Sequence, residues 1–287
     1  MTIPEIIDLH MHTTVSDGTD TPPEILTRVK EAGIGLFAVT DHDALKSCAQ
    51  IRAVRKDDDP LFINGIEISC KDEDGKYHIL GYGYDPEEEA IRAIVEKGHG
   101  FRMKKTKARL DFLNSEFGFA FTREETEELL ARDNPGKPHI GNLMIKHGYV
   151  KTIQEAISDY IDKRRFPNEY IRPEEAIESI LASGGIPVLA HPAYGSGDEI
   201  ILGDEMEERL KKLLGFGLKG VEAYYSGFTP RLIAEQLAFA DKYDLYATAG
   251  SDYHGTNKME KLGEHNLACV SDGVPQLKRF LEAVLTK

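Results

Sequence analysis

The sequence has few cysteines, no long apolar run and no excess of basic residues. Its three cysteines, Cys48, Cys70 and Cys269, lie far apart, which argues against a disulfide framework and against a zinc site built from thiolates. No stretch approaches the ~20 apolar residues of a membrane helix, and the first residues lack the basic region and apolar core of a signal peptide. We therefore expect a cytoplasmic protein without a membrane partner.

The formal net charge of −14 argues against binding to duplex DNA, because non-specific duplex binding needs a basic surface. A small anionic substrate remains compatible with this charge, since bound metal cations and a few Arg or Lys side chains can reverse the local sign. The length of 287 residues suits one large domain or a domain that carries an insert.

The first predicted strand ends in the pattern His10-Met11-His12, and Asp17 follows in a turn that contains Gly18. Residues i and i+2 of a strand lie on one side, so the two imidazoles point the same way. A single histidine at a strand end is more often a packing residue than a ligand. The pair followed by an aspartate makes a metal site an equal alternative.

Imidazoles and carboxylates also accompany the later predicted strands. Active sites of α/β folds gather at the carboxyl ends of their strands, so we expect these side chains to form one cluster. Six of the ten histidines belong to it. The candidate ligands are His10, His12, Asp17, His42, Glu67, His78, His191, Asp252 and His254.

Nine candidate ligands are too many for one tetrahedral ion, which takes three or four protein ligands. Buried carboxylates and imidazoles are costly without partners, and metal ions supply those partners. The set suits two or three divalent ions that share a bridging carboxylate. Mixed imidazole and carboxylate ligands fit Mn²⁺, Zn²⁺ or Fe²⁺, and the sequence does not choose among these metals.

The pattern changes between residues 86 and 166, where helical periodicity replaces the alternation of strands and helices. We predict helices at about 87–114, 123–131, 140–146 and 153–164 in this region. The strand and helix alternation then resumes. The predicted organisation is therefore an α/β domain formed by residues 1–85 and 167–287, with an inserted helical subdomain over residues 86–166.

Basic residues are concentrated in the insert, although the chain as a whole is acidic. One interpretation is a solvated helix face, and an equal alternative is that one or two of these cations bind a phosphate. A loop over residues 134–139 leads into a helix and carries Lys137 and His139, a combination that suits an anion. The early basic run comprises Lys97, Arg102, Lys104, Lys105, Lys107 and Arg109.

The strand-end motifs, in their order and spacing over the whole chain, resemble those of the PHP (polymerase and histidinol phosphatase) superfamily. These motifs are His10-Met11-His12, Thr40-Asp41-His42-Asp43, Gly65-Ile66-Glu67, Ala190-His191-Pro192 and Ser251-Asp252-Tyr253-His254. The resemblance implies a distorted (β/α)7 barrel of the α/β class whose site binds up to three metal ions.

The resemblance also implies how the ligands divide among the ions, with Glu67 as the bridge between two of them. Some members of the superfamily carry His where this chain has Asp17, and a carboxylate there bears on which metal the second site takes. The implied sets are His10, His12, Glu67 and Asp252 for one ion, Asp17, His42 and His254 for a second, and Glu67, His78 and His191 for a third.

The helical insert resembles that of the nucleotide-directed PHP phosphoesterases, which include 3',5'-nucleoside bisphosphate phosphatases and enzymes that trim RNA from its 5' end. The counterparts of their substrate-binding residues are Arg102 with Lys104 or Lys105, together with Lys137 and His139. Lys137 replaces an arginine of those enzymes. It offers a point charge without the bidentate fork, which leaves the substrate preference open.

We therefore expect a metal-dependent phosphoesterase that removes the 3'-phosphate of nucleoside 3',5'-bisphosphates, with a small anionic nucleotide as its partner. The metals lower the pKa of bound water toward ~7, and Asp17, His42, Glu67 and His191 act through the resulting hydroxide, which attacks phosphorus in line. The alternative is a 5'–3' exoribonuclease on short RNA. A histidinol-phosphate-type phosphatase and a non-catalytic, metal-stabilised module fit less well.

Several other polar residues near strand ends have two interpretations each. Asp41 and Asp43 are expected to orient imidazoles, although Asp43 is equally suited to cap a helix. Glu222 is either a support for the ligands or a surface residue. Tyr224 and Tyr225 are better explained by core packing than by stacking on a base.

Overall fold

The structure, a computed structural model, describes residues 3–166, 169–195 and 200–286. The chain divides into two compact units, one formed by Met1–Val95 with Ile171–Lys287 and the other by Glu96–Tyr170. The predicted return from the insert at residue 167 lies outside the described residues. The predicted limits of barrel and insert stay a prediction.

Within the described residues, the first unit contains a single seven-stranded sheet whose strands follow one another in chain order. Neighbouring strands are parallel except at the fourth strand, which is antiparallel to both of its neighbours. The strands are β1 (Ile7–Asp8), β2 (Leu36–Val39), β3 (Leu61–Lys71), β4 (Lys76–Tyr82), β5 (Ile186–Leu189), β6 (Gly220–Tyr225) and β7 (Tyr246–Gly250).

The last strand returns to the first and nearly closes the sheet into a barrel. The backbone N–H of Leu9 donates to the carbonyl of Ala249 at 3.0 Å, and Met11 forms a parallel bridge with Tyr253. This architecture confirms the predicted distorted seven-stranded α/β barrel.

Ten α-helices accompany these strands among the described residues, and α3 contains the boundary between the two units. The helices are α1 (Pro22–Glu31), α2 (Lys46–Val54), α3 (Glu89–Phe117), α4 (Arg123–Leu130), α5 (Lys137–Lys146), α6 (Ile153–Glu155), α7 (Pro173–Ala182), α8 (Gly203–Phe216), α9 (Pro230–Lys242) and α10 (Pro275–Leu285). No helix in the described part of the chain is long and apolar enough to cross a membrane.

The apolar side chains of the strands build the core that holds the barrel. Leu9, Leu36, Val188 and Ala249 are buried in one cluster. Phe280 of α10 packs into the same cluster and is fully buried. Burial of such side chains stabilises the fold by about 1.5–3 kcal/mol each, which makes the barrel a firm support for the polar side chains at its strand ends.

The second unit has its own apolar core, and one of its predicted helices is irregular. The segment predicted as a helix over residues 153–164 consists of α6, a π-helical turn (Ala156–Tyr160) and a 3₁₀ turn (Ile161–Lys163). Ala156 and Ile161 are both fully buried in this core. Because they are five residues apart, a π turn brings both to one side, whereas a regular α-helix would rotate them apart.

Candidate metal centre

The first and last strands place four of the predicted ligands side by side. The backbone N–H of Asp252 donates to the carbonyl of His10 at 2.8 Å, and the N–H of His12 donates to the carbonyl of Tyr253 at 2.8 Å. A Cβ at Gly250 would lie 2.2 Å from the Cβ of His10, so this close approach requires glycine. The approach brings Asp252 and His254 to the histidines that follow β1.

The middle strands bring the other ligands to the same end of the barrel. His42, which follows β2, bridges to Glu67 in β3. His78 lies near the start of β4, opposite Ser69. Since β4 is antiparallel to its neighbours, its start lies at the end of the sheet where the parallel strands finish. His191 follows β5 with a φ of 27°, a left-handed conformation of the kind that clusters at functional sites.

The carboxylates of Glu67 and Asp252 both lie close to the Nε2 atoms of His10 and His12. Glu67 Oε2 lies 3.4 Å from His10 Nε2 and 3.2 Å from His12 Nε2. Asp252 Oδ1 lies 3.4 Å and 3.3 Å from the same two nitrogens. Metal–ligand bonds of about 2.0–2.1 Å in a tetrahedron put neighbouring ligand atoms about 3.3–3.4 Å apart. These four separations agree with that spacing, and His10, His12 and Glu67 form a group that could hold an ion.

The second oxygen of Glu67 belongs to a different group. Glu67 Oε1 lies 2.9 Å from His78 Nδ1 and 3.1 Å from His191 Nε2. The two nitrogens are 3.3 Å apart. The carboxylate of Glu67 therefore contributes one oxygen to each of two ligand groups, as a bridging carboxylate does.

Asp17 forms the centre of a looser group. Its Oδ1 lies 3.3 Å from His254 Nε2 and 3.6 Å from His12 Nδ1, and its Oδ2 lies 4.0 Å from His42 Nε2. His42 also contacts Glu67, with 3.1 Å between Nδ1 and Oε2. The structure thus brings all nine candidate ligands into overlapping groups, and their role as ligands stays a prediction.

Unsatisfied buried atoms provide a test of whether the residues fit divalent metal ions. The Nε2 atoms of His10 and His12 and the Oε2 atom of Glu67 are buried and form no hydrogen bond of normal geometry with any residue in the described segments. Unpaired buried polar atoms are costly. Three such atoms facing one another at 3.2–3.4 Å fit a site for a shared cation.

The carboxylates of the cluster stay ionised despite their burial. Burial raises the pKa of Glu67, but the nearby imidazoles of His42 and His78 hold that pKa well below its usual value. Burial likewise opposes ionisation of Asp252, whereas His10 and His12 lower its pKa. Ionised carboxylates are the form that binds metal ions.

Two imidazoles of the cluster have raised pKa values. Burial lowers the pKa of His12, but the carboxylates of Asp252 and Glu67 outweigh it and raise this pKa to about 9. The pKa of His10 is also raised, because Glu222, Glu67 and Asp252 outweigh burial. In the metal-free protein these two imidazoles therefore hold protons where metal ions would bind.

Glu222 contacts two of the candidate ligands, His10 and His191. It is fully buried. Its Oε1 lies 2.9 Å from His10 Nδ1, and its Oε2 accepts a hydrogen bond from the backbone N–H of His191 at 2.8 Å. A carboxylate bonded to the ring nitrogen that does not bind the metal fixes the ring orientation and tautomer of a ligating histidine. Glu222 is therefore a positioning residue, and the alternative of a surface residue is wrong.

We predict that Glu222→Gln lowers the metal affinity by roughly 10–100-fold, because supporting partners of metal-bound histidines contribute that much. The amide has the shape of the carboxylate but lacks its charge, so the barrel should remain folded. Competition titrations with a chelating dye measure the affinity. The exposed Glu264→Gln variant serves as a control and should bind metal as tightly as the parent protein; equal affinity in both variants would contradict the role of Glu222.

Asp8 also helps to shape the loops that carry the ligands. Asp8 is fully buried and accepts hydrogen bonds from the backbone N–H of Ser251 at 3.0 Å and of Gly263 at 2.8 Å. Asp8 was not singled out in the sequence. Its signal was a carboxylate inside an apolar strand, two residues before His10 and therefore on the same side of the strand.

Asp41 is linked to an imidazole through an intermediate residue. Its carboxylate accepts hydrogen bonds from the backbone N–H of Thr13 at 2.8 Å and from the hydroxyl of Ser16. The Ser16 hydroxyl lies 3.3 Å from His12 Nδ1. Asp43 accepts from the N–H of Ser69 at 3.0 Å. The helix-cap interpretation of Asp43 is wrong, because α2 begins at Lys46, after Leu45.

The cluster opens into a cavity of about 340 Å³, within the size range of small-molecule sites. Tyr224 is buried in the core, as predicted, whereas Tyr225 lines the cavity. Tyr194 and Lys258 were missed because they lie in loops that follow the strand-end motifs. The cavity is lined by His42, Glu67, His78, His191, Tyr194, Tyr225, Asp252 and Lys258.

The four candidate substrate-binding residues lie in the second unit. Arg102 and Lys105 lie on α3, and Lys137 and His139 lie in the first turn of α5, which begins earlier than predicted. Lys137 pairs with Asp162 at 2.6 Å, and the Nδ1 of His139 accepts a hydrogen bond from the N–H of Gly136 at 3.1 Å. Their role in binding substrate stays a prediction.

The family model for the PHP domain matches residues 8–222, and the chain belongs to this family. Similar proteins include a 3',5'-nucleoside bisphosphate phosphatase from Chromobacterium violaceum, 28% identical over 86% of this chain and 87% of the relative. Another is a 5'-3' exoribonuclease from Haemophilus influenzae, 26% identical over 95% of this chain and 98% of the relative.

A solved structure from Bifidobacterium adolescentis, titled as a metal-dependent phosphoesterase, is similar over 96% of both chains, with a TM-score of 0.81 and 26% identity. Fold, family and ligand cluster agree on the class of protein. The chain is a PHP-type metal-dependent phosphoesterase, a hydrolase of phosphoric esters that binds divalent metal.

Proposed function

We propose that this phosphoesterase acts in the cytoplasm on a nucleotide, and that it removes the 3'-phosphate of nucleoside 3',5'-bisphosphates. The observation that carries the proposal is the cluster of imidazoles and carboxylates around Glu67, which lines a cavity together with Tyr194 and Tyr225. Aromatic side chains beside a phosphate site suit a nucleoside, because every base can stack on a ring. The similarity to the phosphatase of Chromobacterium violaceum supports the same substrate class.

Two or three divalent ions, Mn²⁺, Zn²⁺ or Fe²⁺, would withdraw charge from the phosphate and lower the pKa of bound water. Asp17, His42, Glu67 and His191 are proposed as the catalytic residues among the ligands. The proposed sets are His10, His12, Glu67 and Asp252 for one ion, Asp17, His42 and His254 for a second, and Glu67, His78 and His191 for a third.

The chain prepares this site by fixing its ligands before substrate arrives. Glu222 aligns the ring of His10 and the backbone of His191. Tyr225 donates a hydrogen bond to Asp252 Oδ2 at 3.0 Å, which leaves Oδ1 toward the imidazoles. Ligands that are already held in place need little reorganisation during the reaction. Preorganised charges of this kind stabilise a transition state effectively.

The proposed substrate-binding residues are Arg102, Lys105, Lys137 and His139, which lie on α3 and α5 of the second unit. Their N–H donors and positive charges suit the phosphate groups of a nucleotide.

The direct test compares phosphate release from adenosine 3',5'-bisphosphate with degradation of a 5'-labelled short RNA and with hydrolysis of histidinol phosphate, all with Mn²⁺ added. We expect rapid release from the bisphosphate and slow loss of RNA. An Asp252→Asn variant controls for contaminating phosphatases. Stepwise loss of nucleotides from the RNA end would instead establish the exoribonuclease that the relative from Haemophilus influenzae suggests.

We predict that Lys137→Ala raises KM for adenosine 3',5'-bisphosphate by roughly ten-fold or more, with little change in kcat, because a charge-assisted hydrogen bond contributes about 1.5–3 kcal/mol. Initial-rate kinetics measure both constants. Lys146, in the last turn of the same helix, pairs with Glu125 at 2.8 Å, and Lys146→Ala is the matched control. An unchanged KM in Lys137→Ala would remove this residue from the substrate site.

A further inference from the structure

One cation lies within the predominantly acidic and imidazole lining of the cavity. Lys258 is the single lysine or arginine among the described residues that line it. Its Nζ lies 2.6 Å from Asp252 Oδ2, and its side chain is 38% exposed. The ammonium is therefore held at the metal centre and still reachable from solvent.

The two oxygens of Asp252 have different partners. Oδ1 faces the Nε2 atoms of His10 and His12, whereas Oδ2 accepts hydrogen bonds from the Tyr225 hydroxyl at 3.0 Å and from Lys258. An ammonium has three N–H donors. Lys258 uses one of them on Asp252, which leaves two for a ligand in the cavity.

The loop that carries Lys258 is anchored beside the metal centre. The N–H of Thr256 donates to Thr19 Oγ1 at 2.9 Å, and the side-chain amide of Asn257 donates to the carbonyl of Asp17 at 2.7 Å. Gly255 has a φ of 68°, and a Cβ there would lie 1.9 Å from Thr19 Oγ1. The chain between His254 and Lys258 thus has a defined path.

We propose that Lys258 binds a non-bridging oxygen of the phosphate group that is hydrolysed, with Asp252 as the residue that holds it in position. A phosphate monoester carries up to two negative charges near neutral pH, and the cluster itself contains the carboxylates of Asp17, Glu67 and Asp252. A fixed ammonium at this point offsets the repulsion between these charges. The proposal rests on the phosphoesterase class and the proposed metal site, and it is independent of the nucleotide substrate.

Inorganic phosphate, the product of the reaction, is the probe for the test. Its dissociation constant is measured by isothermal titration calorimetry on the metal-loaded protein, and the metal content of each sample by mass spectrometry. Lys258→Met should weaken phosphate binding by roughly 10–100-fold, the size of one charge-assisted hydrogen bond, at unchanged metal content. Lys258→Arg should recover most of the affinity because it restores the charge.

Tyr225→Phe is the matched control, because it removes the other donor to Asp252 Oδ2 without removing a charge. It should change phosphate affinity much less than Lys258→Met does. Unchanged phosphate affinity in Lys258→Met, or equal losses of metal and phosphate in both variants, would overturn the proposal and leave Lys258 as a support of Asp252. A parent protein that binds phosphate but hydrolyses no nucleotide would contradict the proposed substrate and leave the role of Lys258 intact.

Discussion

Glu67→Gln is expected to reduce the rate of phosphate ester hydrolysis by roughly a thousand-fold or more, because metal ions contribute several kcal/mol to such reactions. The variant should also bind fewer metal ions per chain. Initial rates with a phosphate monoester measure the first effect, and mass spectrometry of the purified protein measures the second. Far-UV circular dichroism should show an intact fold.

The size of this effect follows from the position of the carboxylate. Glu67 is 1% exposed, and its two oxygens face different groups of imidazoles, with His10 and His12 on one side and His78 and His191 on the other. A glutamine offers one oxygen and an NH₂ group that cannot ligate. The substitution therefore removes the bridge and a negative charge from both groups.

Glu73→Gln is the matched control for this substitution. Glu73 lies in the turn between β3 and β4, with its side chain 63% exposed and paired with Lys212. The same chemical change outside the cluster should leave activity and metal content as in the parent protein. Activity of Glu67→Gln within a few-fold of the parent, at full metal content, would show that Glu67 does not bridge.

The alternation of strands and helices predicted an α/β fold, and the polar residues at strand ends predicted which side chains meet there, because both depend on local patterns. The seven-stranded barrel was an implication of the resemblance to the PHP superfamily. Apolar runs followed by imidazoles or carboxylates mark strand ends, and parallel strands in an α/β fold finish at one edge. His78 was the exception, since it lies at the beginning of a strand. It joins the cluster because β4 runs antiparallel to its neighbours, a direction already suggested by the short turn over residues 71–75 that precedes it.

The residues that the sequence did not identify depend on long-range contacts or on irregular backbone. Lys258 reaches the cavity because its loop is anchored to Thr19 and to the backbone of Asp17, more than 200 residues earlier in the chain. Strand alternation puts Tyr224 and Tyr225 on opposite sides but could not tell which of them faces the core, because a bulge between Glu222 and Tyr224 shifts the register of β6. Alternation predicts sides only where the pleat is regular.

Removal of the metal is expected to abolish activity completely, and its return should release protons from the protein. In the metal-free state, the pKa of His12 is about 9 and that of His10 is raised as well. Both imidazoles therefore carry protons at pH 7. A metal ion binds the neutral ring, so each ligating imidazole must lose its proton first.

The sign of the pH dependence follows from this competition. A raised pKa means that the proton is held until the pH approaches about 9, so the apparent metal affinity should rise with pH between 6 and 8. Each displaced proton adds up to about ten-fold in affinity per pH unit. Chelator competition at several pH values measures the slope, and calorimetry in buffers of different ionisation enthalpy counts the protons released.

His147→Gln is the control for this experiment, because His147 lies in the second unit and pairs with Glu125. It should release as many protons on metal binding as the parent protein, whereas His12→Gln should release fewer. A metal affinity that stays constant between pH 6 and 8 would contradict the protonated state of the metal-free cluster. Such a result would mean that the carboxylates of Glu67 and Asp252 face neutral imidazoles in the metal-free protein. The principal driving force for metal binding would then be the attraction of the ion to this buried negative charge.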